Sequence, residues 1–207
     1  MPKITSEQIE SRKNEIIDTC AKLYQTMSFK EITIKEIGMH TSCTRTSIYN
    51  YFQTKEEIFL ALLGREYSLW VKQLKLMNQN DNIENKEVFS SLLARTLEER
   101  PMLLKLLSMN HYDMEENSRK VNLIVFKKNY GAAMKQLDDC LSYFFPNMTQ
   151  EKRQHFIYSF FPFMFGVYPY TEVSNNQKEA MKEAEVPYVY YSAYELIYNF
   201  VRQLLKD

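Results

Sequence analysis

Thr44-Arg45-Thr46-Ser47-Ile48-Tyr49-Asn50-Tyr51-Phe52 runs, after Gln53, into Thr54-Lys55-Glu56-Glu57-Ile58. It holds two helix starts. The Thr44 hydroxyl can accept from an orphan backbone N–H, so a short helix is expected from Thr44 to about Tyr51. Thr54-x-x-Glu57 has capping-box spacing. It opens a long helix whose apolar residues Phe59, Leu63, Tyr67, Trp70, Leu74 and Met77 recur at three and four. Upstream, Thr33-Ile34-Lys35-Glu36 has the same spacing and predicts a very short helix ending near Gly38 or Met39. His40-Thr41-Ser42-Cys43 is left as a tight connection between the two short helices. A first helix is expected from about Ser6 to Thr26.

Two short helices joined by a few residues have the form of a helix-turn-helix, with Thr44–Tyr51 as the helix that enters a groove. Its residue types suit that role. Arg45 can donate twice to a guanine edge, Thr46 and Ser47 can meet bases or thymine methyls, and Asn50 can pair with adenine or a phosphate. Thr33 and Thr44 stand at helix starts, where hydroxyls and backbone N–H groups meet phosphates. Tyr49 and Tyr51 offer phenol hydroxyls, and Lys55 offers a point charge.

Beyond this head the chain continues in helical period. Helices are expected over about 86–99 and from Pro101 to about 110, where Pro101 suits a first turn. Residues 113–117 read as an acidic break. A long helix carries Leu123, Phe126, Tyr130, Met134, Leu137, Leu141 and Phe144 on one face. Thr149 opens another helix, residues 171–186 read as a polar connection, and Pro187 as the start of the last helix. The expectation is an all-α fold of about nine helices. A three-helix head spans residues 1–54, with the motif at about 33–52, and a six-helix body spans 55–207.

Bulk properties exclude several classes. The 207 residues carry 26 basic and 26 acidic side chains, so no global charge points to nucleic acid. Residues 1–55 hold eight Lys/Arg against six Asp/Glu, which makes the head mildly basic and the rest mildly acidic. Cys20, Cys43 and Cys140 have no paired spacing, which fits a reducing compartment. The longest apolar stretch, Phe156 to Tyr170, is broken by Ser159, Pro162, Gly166 and Pro169 and is too short to span a bilayer. With no leader pattern at the start, a cytoplasmic protein without a membrane partner is expected. His40, His111 and His155 lie far apart, so no metal is expected. No phosphate-binding glycine loop or catalytic elbow occurs, so neither an enzyme nor a cofactor is expected.

The run Ile32 to Gly38, then Thr44 to Phe52, then Lys55-Glu56-Glu57-Ile58, resembles the head of the TetR family. Ile48-Tyr49-x-Tyr51-Phe52-x-x-Lys55-Glu56-Glu57-Ile58 is the most specific part, and the match covers about the first third of the chain. The resemblance implies DNA contacts from Thr33, Thr44, Arg45, Thr46, Tyr49, Tyr51 and Lys55, with Ile37, Ile48 and Phe52 as core. It also implies a homodimer. Two positions depart from the family. Ser42 stands where a glycine often adopts positive φ, and Gly38 stands where a helix-favouring Ala is usual.

The body is rich in aromatics. Tyr190, Tyr194, Ile197 and Val201 make a second apolar face on the last helix, and Phe156, Phe160 and Phe163 do the same on the helix opened by Thr149. A terminal helix needs one face for its own core, so these residues are expected in a dimer seam. A two-fold dimer also suits a two-fold symmetric double-stranded DNA operator. Trp70, Leu103, Leu106, Met109, Tyr112, Phe126, Tyr130, Met134, Tyr158, Phe161 and Phe165 are candidates to line a plastic apolar pocket for a small-molecule effector. The same residues would equally serve as a filled core. The function expected is a DNA-binding regulator, a repressor released by a small, largely hydrophobic ligand. The alternative is a helical regulator or interaction protein without such a ligand.

Overall fold

The computed structural model describes residues 5–79, 84–109 and 111–206, without the side chains of residues 111 and 112. Among the described residues the fold is all helical. The elements are α1 (Ser6–Thr26), α2 (Ile34–Met39), α3 (Arg45–Ile48), α4 (Lys55–Met77), α5 (Lys86–Glu98), α6 (Pro101–Leu107), α7 (His111–Glu116), α8 (Lys120–Phe144), α9 (Gln150–Thr171), α10 (Asn175–Glu183) and α11 (Ala193–Leu204). These exceed the expected nine by two. Helix α7 occupies the expected acidic break, and α10 lies in the expected polar connection. No residue of α10 is buried, so it leaves no apolar periodicity to read; its start is fixed by the Ser174 hydroxyl accepting from Gln177 N–H at 3.2 Å. The last helix starts at Ala193 rather than Pro187. A reciprocal box sets that start, with Ser192 Oγ accepting from Glu195 N–H at 3.2 Å and Glu195 accepting from Ser192 N–H at 2.8 Å. Of the expected loop after α4, residues 80–83 lie outside the described residues, as does Asn110 after α6.

The chain forms two compact units, Met1–Arg65 with Asn110–Asn129, and Glu66–Met109 with Tyr130–Asp207. The head unit is therefore larger than residues 1–54. Its core explains why. Phe59 on α4 packs edge-on against Tyr24 of α1 at 5.1 Å and against Phe29 at 4.8 Å. Ile16, Cys20, Ile32, Ile37, Ile48 and Ile58 are fully buried with it. The first turns of α4 are thus part of the head's own hydrophobic core, and removing them would expose roughly 2 kcal/mol per large side chain.

In the second unit α11 lies along α5, and α6 packs on α9. All six residues of the α4 stripe are buried: Phe59 and Leu63 in the head unit, and Tyr67, Trp70, Leu74 and Met77 in the body. Trp70 satisfies its indole N–H by donating to Thr96 Oγ1 at 2.9 Å, and it packs on Tyr67 and Phe161. Burial of the Tyr67 hydroxyl, reinforced by Tyr130, pushes its pKa up. Burial likewise pushes the Cys140 and Cys20 thiols up to about 12, so both are inert packing groups.

Candidate nucleic-acid interface

Helices α2 and α3 pack against each other and α2 against α1. Thr33 caps α2 by accepting from Glu36 N–H at 3.0 Å, but the box is not reciprocal. The Glu36 carboxylate is 3.3 Å from His40 Nε2, one turn on, instead of reaching back. Thr44 caps α3 by accepting from Ser47 N–H at 3.2 Å. In both caps the hydroxyl oxygen is the acceptor, which leaves its proton free to donate to a phosphate. The regular part of α3 ends at Ile48. The helical turn is carried on by Asn50 N–H to Ser47 O, Tyr51 N–H to Ile48 O and Phe52 N–H to Ile48 O, at 2.9–3.1 Å.

This short element has two sides. Ile48 and Phe52 are buried, whereas Arg45, Thr46, Tyr49 and Asn50 are exposed. The Arg45 guanidinium lies over the Tyr49 ring, 6.0 Å from its centroid, at the outer limit of a cation–π contact. Thr33 and Thr44 are exposed and Ser47 is half-buried. Tyr51 is half-buried, and its carbonyl accepts from Arg119 Nη2 at 3.0 Å. Lys55 is turned inward: its ammonium donates to Phe29 O at 2.7 Å and sits 4.0 Å from the Phe29 ring centroid. Its first role is therefore to close the loop after α1.

The turn has a device that local sequence hides. Ser42 is not at positive φ; among the described residues only Glu84 and Glu185 are. Instead Glu15 of α1 accepts from Ser42 N–H at 2.6 Å and from Ser42 Oγ at 2.9 Å, and Arg12 donates to the same hydroxyl. These two bonds from Ser42, with Arg12 beside them, hold the Glu15 carboxyl below the usual range. A serine at this point supplies two donors where a glycine supplies one.

A second device lies outside the motif. Glu57 does not complete a box with Thr54. The Thr54 hydroxyl accepts from Glu57 N–H at 3.2 Å, while the Glu57 carboxylate accepts from Gln53 N–H at 2.8 Å and from Arg119. Arg119 stands just before α8, 62 residues away in sequence, and no local pattern announces it. Burial alone would raise the Glu57 pKa; the Arg119 and backbone N–H bonds outweigh it and lower it.

Two short helices meeting at a tight turn, the second with a buried inner side and an exposed polar outer side, define a helix-turn-helix head. Residues 16–62 match the family described as bacterial regulatory proteins, tetR family, and residues 64–205 match the one described as tetracyclin repressor-like, C-terminal domain. The chain belongs to the TetR family of DNA-binding transcription regulators. A relative, an uncharacterized HTH-type transcriptional regulator, YfiR, of Bacillus subtilis (strain 168), is 23% identical over 91 residues, 44% of this chain and 42% of that one. The chain thus matches under half of that relative's length. Among solved structures, the fatty acid degradation regulator FadR from Bacillus halodurans is 16% identical, with TM-score 0.58 and 94% of each chain covered. A TetR transcriptional regulator from Rhodococcus sp. RHA1 is 13% identical, with TM-score 0.58 and 96% and 98% covered. Identities this low show a shared fold.

The body residues fall differently from expectation. Phe156, Phe160, Ile197 and Val201, expected at a dimer seam, are buried inside the protomer, and Tyr194 bonds Ser91 through its hydroxyl at 3.0 Å. Phe163 stacks on Phe200 at 3.8 Å, and Tyr190 is exposed. The two faces of α11 are real, but Ile197 and Val201 belong to the one that packs inward. Periodicity reveals that a helix has two apolar faces without saying which one the protomer uses. The expected pocket set also divides. Trp70, Leu103, Leu106 and Phe161 are fully packed core, and Met109 and Tyr130 are half-buried. Tyr158 and Phe165 point outward, with exposures of 70% and 36%. Met134 and Tyr158 share a shallow surface recess of about 210 Å³ with Lys135, Asp138 and Gln154. Phe126 belongs to the head unit, and the Tyr112 side chain lies outside the described residues. Among the described residues, no helix is long and apolar enough to cross a membrane, and no three His, Cys, Asp or Glu converge on a metal site.

Proposed function

We propose that the protein is a repressor that holds a two-fold symmetric operator as a homodimer and releases it when a small, largely hydrophobic effector binds the body. The observation that carries this reading is the continuity of α4 and α8. Each is one unbroken helix with residues in both units: α4 carries Glu57 in the head unit and Trp70 in the body, and α8 carries Asn122 in the head unit and Tyr130 in the body. Tyr67, Trp70, Tyr130 and Phe161 form one aromatic cluster on these helices and α9, with ring centroids 5.3–6.4 Å apart. A guest that parts this cluster displaces side chains on α4, α8 or α9, and a shift of α4 or α8 is carried along an unbroken helix to residues of the head unit. The cluster is packed in the present state, so the effector site opens as the effector enters.

The dimer seam proposed is the outer stripe of α9. Tyr158, Pro162, Phe165 and Pro169 are all exposed and recur at four, three and four. A cytoplasmic location follows from this role. Fatty acyl compounds are the first effectors to test, because a protein of the same fold is described as a fatty acid degradation regulator.

The test is linkage. Effector affinity is measured by Trp70 fluorescence with and without saturating operator. An effector that releases DNA must bind the DNA-bound protein more weakly by the factor, typically 5–150-fold, by which it weakens DNA binding. Equal affinities would show that the body does not control the head. A regulator without an effector would show no Trp70 response to any candidate.

A further inference from the structure

The head unit contains a cavity of about 280 Å³ between α1, α4 and the first half of α8. Each helix presents one face to it: Lys13 and Ile17 from α1, Leu60 and Gly64 from α4, Asn122 and Phe126 from α8. Its floor is apolar, since Ile17, Leu60 and Phe126 are all buried. Its volume lies just under the roughly 300–1,000 Å³ of ordinary small-molecule sites.

Two further features point to an occupant. Asn122 Nδ2 is one of two buried side-chain polar atoms among the described residues that have no hydrogen-bond partner, the other being Asn78 Oδ1. A buried amide donor without an acceptor is costly, and such groups are few in folded proteins. The second feature is charge. Lys13 is half-buried at the cavity, whereas Glu10, the lining carboxylate, is exposed, and Arg65 is engaged by Asp18. An amide donor and a half-buried ammonium together favour an acceptor that carries negative charge. Space is kept by Gly64, where a Cβ would stand 2.9 Å from Asn129 Nδ2.

We propose that this cavity is a second ligand site, lying wholly within the DNA-binding head. It takes a compact, flat monocarboxylate no larger than a fused bicyclic acid. The carboxylate pairs with Lys13, a turn of the Asn122 side chain brings its buried amide N–H round to donate to it, and the ring packs on Ile17, Leu60 and Phe126. The site is independent of an effector in the body, so either can exist without the other.

The probe is 2-naphthoate, titrated calorimetrically into the full-length protein, with the side-chain amides of selectively labelled asparagine followed by NMR. One molecule should bind per chain and move the Asn122 amide pair. Lys13→Gln, a conservative change at the rim, should weaken binding at least tenfold, as should Asn122→Leu, with folding of both checked by circular dichroism. The neutral 2-naphthylmethanol should bind at least tenfold more weakly than the acid. No binding at millimolar probe, unchanged affinity in Lys13→Gln, or equal affinity for the neutral alcohol would each overturn the proposal.

Discussion

Arg119 grips Glu57 through both carboxylate oxygens, with Nε 2.6 Å from Oε1 and Nη2 2.8 Å from Oε2, while its own backbone N–H donates to Oε1 at 3.0 Å. The same guanidinium donates to Tyr51 O, so one side chain joins the turn that follows α3, the start of α4 and the start of α8. Glu57 is fully buried and Arg119 is 38% exposed. Arg119→Ala therefore leaves a buried carboxylate without its counter-ion. Breaking a wholly buried pair costs about 3–5 kcal/mol; solvent at Arg119 reduces the expected loss to about 2–3 kcal/mol. Urea denaturation measures it, and an unchanged midpoint would contradict it.

The pair also sets a pH dependence. The folded Glu57 pKa is lowered, so its contribution to stability is fully present above the ordinary glutamate value of about 4.3. It is lost as pH falls from there through the depressed folded value. Glu15, lowered by Ser42, adds a second contribution of the same sign. Glu57→Gln should be less stable than the parent at pH 7, and the gap should narrow as pH falls below about 4. Thermal melts from pH 7 to pH 3 test this; a constant gap would contradict it.

Gly38→Ala should stabilise the head. A Cβ there would meet Arg45 N at 3.5 Å and Ile48 Cδ1 at 3.6 Å, which is ordinary contact, and Gly38 is not at positive φ. The helix-propensity gain is up to about 1 kcal/mol, equivalent to a few degrees in Tm. A lower Tm would mean that α2 and α3 cannot accept the methyl group.

These residues show what could be read from the chain. Thr33 and Thr44 act on N–H groups three residues away and were legible as caps, whereas Ser174 and Ser192 cap in the same way but escape notice, one in a polar connection and the other behind Pro187. The α4 stripe was legible because burial recurs at the helical period. Glu15–Ser42 and Glu57–Arg119 were not, because each partner lies tens of residues off and looks like any surface charge until the fold joins them. Helix α10 buries nothing and so has no period to detect. On α9 and α11 the sequence offers more than one apolar face, and only the neighbouring α5 and α6 decide which turns inward.

Lys55→Met separates two roles. With its ammonium on Phe29 O and ring, Lys55 should contribute about 1 kcal/mol to head stability. The salt dependence of operator binding should be nearly unchanged. A fall in the log–log salt slope by about one, with stability intact, would instead make Lys55 a phosphate contact.

The α9 stripe makes a paired test of assembly. Tyr158→Glu with Phe165→Glu places charge on exposed positions and should give folded monomers by light scattering. Val201→Glu places charge inside the protomer and should unfold the body, lowering its Tm sharply. Folded dimers from the first pair would remove the α9 seam.

On the proposed function, the exposed side of α3 meets base edges through Arg45. The most direct measurement is operator affinity by fluorescence anisotropy, comparing the parent with Arg45→Ala at matched salt on DNA flanking the gene. The expected result is a loss on the order of 1–3 kcal/mol, about 5- to 150-fold in Kd, with relaxed preference at one base position and unchanged thermal stability. Equal affinity of the two proteins would contradict it.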